Sequence, residues 1–295
     1  MKKILVIGGT RFVGNRLVEK LISAGYDVTI ANRGLTGDSF GDGVKRIIIN
    51  RWESVSMQQL KNNDWDIVVD FICFNAMDAL DAVRAFAGNI GRYIQISSQA
   101  VYEFSDAPLM ESDFNSANFE LVWKMRSDYE YAEGKRFAEA VINQMADFPS
   151  IFVRFPYILG NDDYTRRLDF YVHHILNKIP IKVSNFQSVI SLISSDEAAR
   201  FLFWTVENDS IEGAMNACSN GNMTTSQFLN TVAAACGHDF VFSPEHSSEH
   251  QKGSYDSEHS WCMSNTLATI KGFKFDSISD WLTALVEHSR NNIPN

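Results

Sequence analysis

The chain has 295 residues, 45% of them hydrophobic and 21% charged, enough for two modest domains or one large one with an ordinary core. Its formal charge of -10 disfavours a nucleic-acid partner, because an evenly acidic surface repels phosphate backbones. Cys73, Cys218, Cys236 and Cys262 have no CxxC spacing and read as reduced thiols, and no apolar run reaches the length of a signal h-region or a membrane span; the expectation is a cytoplasmic protein with no membrane partner.

The first apolar run, Ile4 to Ile7, reads as a strand buried on both faces. The turn Gly8-Gly9-Thr10-Arg11-Phe12-Val13-Gly14 follows directly. Glycine suits a backbone that must approach a phosphate, and the next helix offers its N–H groups and positive dipole end to a pyrophosphate. That helix repeats Val13, Leu17 and Leu21, with Val18 and Ile22 on the neighbouring ridge, and stops at Gly25. Gly8, Thr10, Arg11, Phe12, Val13 and Gly14 are therefore candidate cofactor contacts.

Val28 to Ala31 and Arg46 to Ile49 read as the second and third strands. The second ends Ala31-Asn32-Arg33-Gly34, without the carboxylate that often holds the ribose hydroxyls of NAD. Asn32 and Arg33 join the candidates, and Arg11 with Arg33 would flank a 2'-phosphate. The expected cofactor is NADP, with NAD as the alternative; both arginines on an ordinary solvated face is the plainer reading.

Ile67 to Ile72, Tyr93 to Ile96 and Ile151 to Phe155 read as further strands, with helices at Asp78 to Phe86 and Ser127 to Met145. This alternation predicts an α/β, Rossmann-type, doubly wound parallel sheet over residues 1–160. The remainder, 161–295, reads mainly as a smaller substrate-binding part, with a segment near 187–215 returning to the sheet. Helices are expected at Leu168 to Leu176, Ser195 to Val206, Thr225 to Cys236 and Asp280 to Ser289. The stretch from Ser243 to Ser260 reads as a polar loop; its Glu245, His246, Glu249, His250 and His259 lack the fixed geometry of a zinc site, so no metal is expected. Of Arg166 and Arg167, one could grip a substrate phosphate or both could face solvent. His173 and His174 read as packing residues, with substrate contact as the alternative.

Tyr131 and Lys135 stand at i and i+4, so one helix face carries both. An ammonium beside a phenol favours the phenolate, which can exchange a proton with a substrate oxygen. The fifth strand ends in Ser97-Ser98, at the carboxyl edge where α/β sheets bind ligands. Ser98, Tyr131 and Lys135 are the candidate catalytic groups.

Together these residues resemble the short-chain dehydrogenase/reductase superfamily in its extended, epimerase/dehydratase-like branch. Ser98 followed by Val101-Tyr102 is similar to the branch's strand-five signature, Tyr131 and Lys135 to its YxxxK pair, and Arg154-Phe-Pro156-Tyr-Ile-Leu-Gly160 to its RPxxxxG segment. Ser191 to Asp196, Asn216 to Gly221 with Thr224, and Gly272-Phe273 resemble its later segments. The resemblance implies hydride transfer to or from a nucleotide-sugar or similar hydroxyl/carbonyl substrate. Tyr131 would be the acid/base, Ser98 would orient the substrate oxygen, Lys135 would hold the ribose, and Pro156 would lie near the nicotinamide. It also implies a homodimer through the two long helices. Arg11 stands where a glycine is usual. "GGTRFVG", "NRG" and "DFICFN" resemble an atypical subgroup that includes bacterial epimerase-like proteins and chloroplast stem-loop RNA-binding proteins. An RNA-binding or cofactor-sensing regulator on the same fold is therefore the alternative function.

Overall fold

The computed structural model describes residues 1–243 and 252–293. The chain divides into two compact units, the first of residues 1–102, 111–155 and 198–217 and the second of residues 103–110, 156–197 and 218–295.

The first unit is built on seven parallel strands. These are β1 (Lys3–Ile7), β2 (Asp27–Asn32), β3 (Lys45–Ile48), β4 (Trp65–Asp70), β5 (Ile90–Ser98), β6 (Ser150–Phe155) and β7 (Gly213–Asn216). Their order is β7-β6-β5-β4-β1-β2-β3, and every pairing is parallel. The chain leaves β1 in one direction and returns to β4 on its other side. The ends of β1 and β4 therefore form the switch point, with Ile7 in register with Asp70. Helices α1 (Phe12–Ser23), α2 (Ser54–Gln58), α3 (Ala76–Phe86) and α4 (Tyr131–Met145) make the crossovers. Ile4–Ile7 of β1 and Ile67–Val69 of β4 are buried, which is why each stretch reads as an apolar run.

Helix α1 lies close to its strand because Gly14 has no side chain; a Cβ there would stand 2.5 Å from the Gly9 Cα. Helix α3 starts two residues ahead of the expected Asp78, because the Asn75 side chain accepts from the N–H groups of Met77 and Asp78 and caps it. Helix α4 starts later than the expected Ser127. Arg126 pairs with Asp78 and Asp81 of α3, and the Tyr129 hydroxyl accepts from the Lys124 N–H at 2.9 Å. Those contacts hold Arg126–Asp128 in a separate 3-10 turn, and Glu130 takes an extended conformation before the helix begins.

Residues 114–129 pass over α4 as a strap. Phe119 and Tyr129 pack edge-on or tilted against Phe137, at 5.1 and 5.5 Å, and Gln144 donates to the carbonyls of Ser116 and Phe119.

The second unit is a smaller α/β assembly. Its four-stranded mixed sheet takes the order Met223–Thr224, Val189–Ile190, Trp261–Met263, Ser105–Leu109. Two further two-stranded sheets pair Leu192–Ser194 with Tyr157–Leu159, and Phe242–Ser243 with Ile181–Lys182. Helices Arg167–Leu176, Thr225–Cys236 and Ile278–Asn292 bury Val172, Leu229 and Leu282 in one core. No helix among the described residues is long and apolar enough to cross a membrane.

Candidate active site

The glycine turn stands at the carboxyl end of β1. The Gly8 N–H donates to the Ala31 carbonyl at 2.9 Å, tying the turn to β2. Arg11 is the N-cap of α1 and no side chain caps that helix. An uncapped amino end with no acidic residue in its first turn suits an anion. Thr10 and Val13 flank this end, Val13 buried and Thr10 partly so. Phe12 takes φ 50°, a left-handed conformation that costs a non-glycine residue about 1–3 kcal/mol and clusters at ligand sites.

At the end of β2, Asn32 makes a turn rather than offering a free carboxyl-like group: its Oδ1 accepts from the Gly34 N–H at 2.7 Å. Arg33, between them, is exposed. The exposed Arg11 guanidinium donates to the Thr36 hydroxyl at 3.2 Å, three residues past Arg33. The two arginines thus attach to one short loop.

Lys135 is only 1% exposed, yet it is a cation. Its ammonium donates to the carbonyl of Ile96 in β5 at 2.7 Å and to the carbonyl of Cys73, in the turn after β4, at 3.0 Å. The Phe74 ring lies 4.6 Å away. These contacts offset the desolvation of a lysine that a parallel sheet would otherwise exclude. Tyr131, one helical turn earlier, is 56% exposed, and its hydroxyl has no hydrogen-bond partner among the described residues. Ser98 ends β5, two residues past Ile96, with its Oγ accepting from the Ala100 N–H at 3.1 Å. The structure therefore brings Lys135 to the ends of β4 and β5, with Tyr131 one turn earlier on the same helix and Ser98 two residues past the Ile96 carbonyl. Pro156 follows directly on Phe155, the last residue of β6.

Gly134 lets α4 come this close: a Cβ there would stand 2.5 Å from the Phe74 carbonyl oxygen. Glycine to alanine in an open helix stabilises by about 1 kcal/mol. Here the sign reverses. Gly134→Ala is expected to destabilise by about 1–3 kcal/mol in urea unfolding, because backbone must move to admit the methyl; an unchanged midpoint would contradict the close approach.

Two buried networks carry residues that sequence reading did not single out for the site. Asp70 closes β4: its Oδ2 accepts from the Tyr93 hydroxyl at 2.6 Å and pairs with Arg51 at 2.8 Å, while Oδ1 accepts from the Ile72 N–H. This fixes the turn that carries Cys73. Burial pushes the Cys73 thiol up to about 12, so it stays protonated and unreactive. The signal available in sequence was a lone aspartate inside the apolar run Ile67 to Ile72.

The second network centres on Arg154, which is fully buried. All five of its N–H bonds are satisfied. Nε and Nη2 donate to Glu139 at 3.0 and 2.6 Å, Nη1 to the Tyr102 hydroxyl and the Glu111 carbonyl, and Nη2 also to the Phe114 carbonyl. The rings of Tyr102 and Phe114 face the guanidinium at 4.9 and 5.2 Å. Glu139 also accepts from the Ser97 hydroxyl. Tyr131, Lys135 and Glu139 succeed one another at four-residue intervals, so the clamp holds the helix face that presents the candidate pair.

Among the described residues no group of His, Cys, Asp and Glu is placed to hold a metal ion. Glu245, His246, Glu249 and His250 lie outside the described residues, and His259 packs its ring 5.5 Å from Phe104.

The model of the NAD dependent epimerase/dehydratase family matches residues 4–218, from β1 through β7. The chain belongs to that family. 2'-Dehydrokanamycin reductase of Streptomyces kanamyceticus is 33% identical over 97 residues, 32% of this chain and 27% of that protein. The chloroplast stem-loop binding protein of 41 kDa b of Arabidopsis thaliana is 28% identical over 218 residues, 68% of this chain and 54% of that protein. The chain thus spans about a quarter and about half the length of these two relatives.

Among solved structures, the UDP-glucose 4-epimerase of Thermus thermophilus in complex with NAD superposes with a TM-score of 0.72 at 17% identity, covering 99% of this chain and 100% of that one. The dTDP-glucose 4,6-dehydratase of Bacillus anthracis, also with NAD, gives 0.74 at 15% identity, covering 99% and 97%. The UDP-N-acetylglucosamine 4-epimerase of Methanobrevibacter ruminantium in complex with UDP-N-acetylmuramic acid gives 0.73 at 20% identity, covering 98% and 97%. At these identities the likeness is one of fold.

Proposed function

We propose that this protein is an NADP-dependent epimerase/dehydratase or reductase that acts on a nucleotide-sugar or similar hydroxyl/carbonyl substrate. The observation that carries this reading is Lys135, held by the carbonyls of Ile96 and Cys73 where β4 and β5 end, one helical turn from an exposed Tyr131. Such a lysine is not a solvated surface residue. Two of its three N–H bonds are occupied within the fold, which leaves the third for a ribose hydroxyl.

The glycine turn fits a dinucleotide: the approach of Gly14 to Gly9 leaves no room for side chains, and the adjoining helix end carries no side-chain cap. Gly8, Thr10, Phe12 and Val13 would line the pyrophosphate, Asn32 and Arg33 the adenosine ribose, and Pro156 the nicotinamide side. A bound nicotinamide supplies or accepts the hydride. Tyr131 gives its proton to, or takes it from, the substrate oxygen. Ser98 holds that oxygen, and Lys135 holds the ribose.

The hydrogen bond that ties Arg11 to Thr36 beside Arg33 supports NADP over NAD. Each charged hydrogen bond to a 2'-phosphate contributes about 1.5–3 kcal/mol, or about 10- to 100-fold in affinity. Titration should show NADP(H) binding more tightly than NAD(H), and Arg33→Ala should erase about that factor for NADP(H) alone. Tighter NAD(H) binding by the unaltered protein would reject the preference.

A second reading is an RNA-binding protein on this fold, which the similarity to the stem-loop binding protein supports. The net charge of -10 weighs against it. Salt-sensitive retention of a stem-loop RNA at low protein concentration would favour it, and no retention would remove it.

A further inference from the structure

The peptide group that joins Cys73 to Phe74 lies between two charges. Its carbonyl accepts from the Lys135 ammonium at 3.0 Å, and its N–H donates to Asp78 Oδ2 at 3.0 Å. The C=O and N–H of a trans peptide point opposite ways, so a cation at the oxygen and an anion at the hydrogen favour one orientation of the plane. Each bond polarises the group for the other.

The two carbonyls that hold Lys135 differ in how they are fixed. Ile96 lies inside β5, in register with Val153 of β6, so the ladder sets its backbone. Cys73 lies between β4 and α3, outside any strand or helix. Asp70 anchors that turn only as far as the Ile72 N–H. The Cys73 carbonyl therefore points where the Phe74 N–H allows. The Phe74 ring, 4.6 Å from the same ammonium, belongs to the same turn.

Asp78 is itself pinned on several sides. It is 2% exposed, its N–H donates to the Asn75 cap at 3.0 Å, and its carbonyl accepts from Arg51 at 2.9 Å. Its Oδ1 pairs with Arg126 of the strap, and Arg126 reaches Asp81 with its other Nη. Arg126 opens the 3-10 turn that leads into α4. The contacts from Arg126 to Asp78, to the Cys73–Phe74 peptide and on to Lys135 thus begin at the entry to α4 and end on the lysine of that same helix.

We propose that Asp78 is a positioning residue for Lys135. Acting through the Cys73–Phe74 peptide, it sets the direction in which the ammonium presents its third N–H, and Arg126 holds the carboxylate in place for that task. The inference deepens the function proposed above, and rests on it only for the ribose that Lys135 would hold.

Exchange of the Lys135 Hζ protons, followed in proton–nitrogen spectra with Lys135→Arg to assign the signal, reads the arrangement directly. The unaltered protein should show a protected Lys135 signal. Asp78→Asn leaves one acceptor oxygen for Phe74 and Arg126 together, so exchange should quicken by about 10-fold or more and NADP(H) should bind about 10-fold more weakly. Asp81→Asn is the matched variant. It also removes a buried charge facing Arg126 but touches neither end of the Cys73–Phe74 peptide, so the Lys135 signal should stay as it was. Should Asp78→Asn fail to fold, Arg126→Gln takes its place, with faster exchange again expected. An unprotected Lys135 in the unaltered protein overturns the proposal. So does an unchanged signal in the variant that is read, or equal acceleration in Asp81→Asn, because a carboxylate that merely anchored α3 would move the melting temperature without singling out the lysine. NADP(H) titration separates the two claims. No binding by the unaltered protein refutes the oxidoreductase reading and leaves the Lys135 signal to decide the role of Asp78. Faster exchange without loss of NADP(H) affinity upholds the positioning and removes Lys135 from the ribose.

Discussion

Tyr131→Phe should lower turnover by about 10²- to 10⁴-fold while leaving the melting temperature and the NADP(H) affinity unchanged. The size follows from general acid–base catalysis, in which a positioned proton donor contributes on that order. The selectivity follows from geometry. The Tyr131 hydroxyl stands at an exposed position and bonds to no described residue, so its removal breaks nothing in the fold. Lys135→Met is the contrasting variant. It removes an ammonium that joins the ends of β4 and β5, so both activity and stability should fall. Retained turnover within tenfold of the unaltered protein in Tyr131→Phe would exclude it as the acid/base.

Arg154→Met should destabilise the protein by about 3–5 kcal/mol, enough to unfold most single domains of ordinary stability. The arginine is encircled by Glu139, Tyr102 and two carbonyls, and its loss leaves the buried Glu139 without a counter-charge. Arg154→Met combined with Glu139→Leu should recover most of the loss, because no charge is then left buried. No recovery in the double variant would mean that shape, not charge, is what Arg154 contributes.

The parts of the site that a linear reading reached are those written locally. The turn from Gly8 to Gly14 lies between a buried strand and an amphipathic helix, and both neighbours are visible within twenty-odd residues. The pair Tyr131 and Lys135 follows from helix spacing. What stayed hidden depends on distant partners. Arg154 was noticed only within a motif resemblance; its clamp on Tyr102 and on Glu139, to which Ser97 also donates, exists because three separate segments meet. Asp70 and Arg51 were hidden for the same reason. In the second unit the strands are mostly two or three residues long, too short for an alternating pattern to emerge, and they pair across large sequence gaps. The start of α4 was misplaced because Arg126 is drawn to the aspartates of α3, an attraction that helix propensity does not contain.

The strap of residues 114–129 has a consequence for the surface beside α4. Phe137, Ala138, Val141 and Ile142 of α4 are buried within a single chain, the strap supplying part of their cover. The strap turns its own Val122, Trp123 and Met125 outward, all exposed, so the apolar surface beside this helix belongs to the strap and not to α4. The strap thus closes the core at α4 within one chain while carrying apolar residues of its own to the surface.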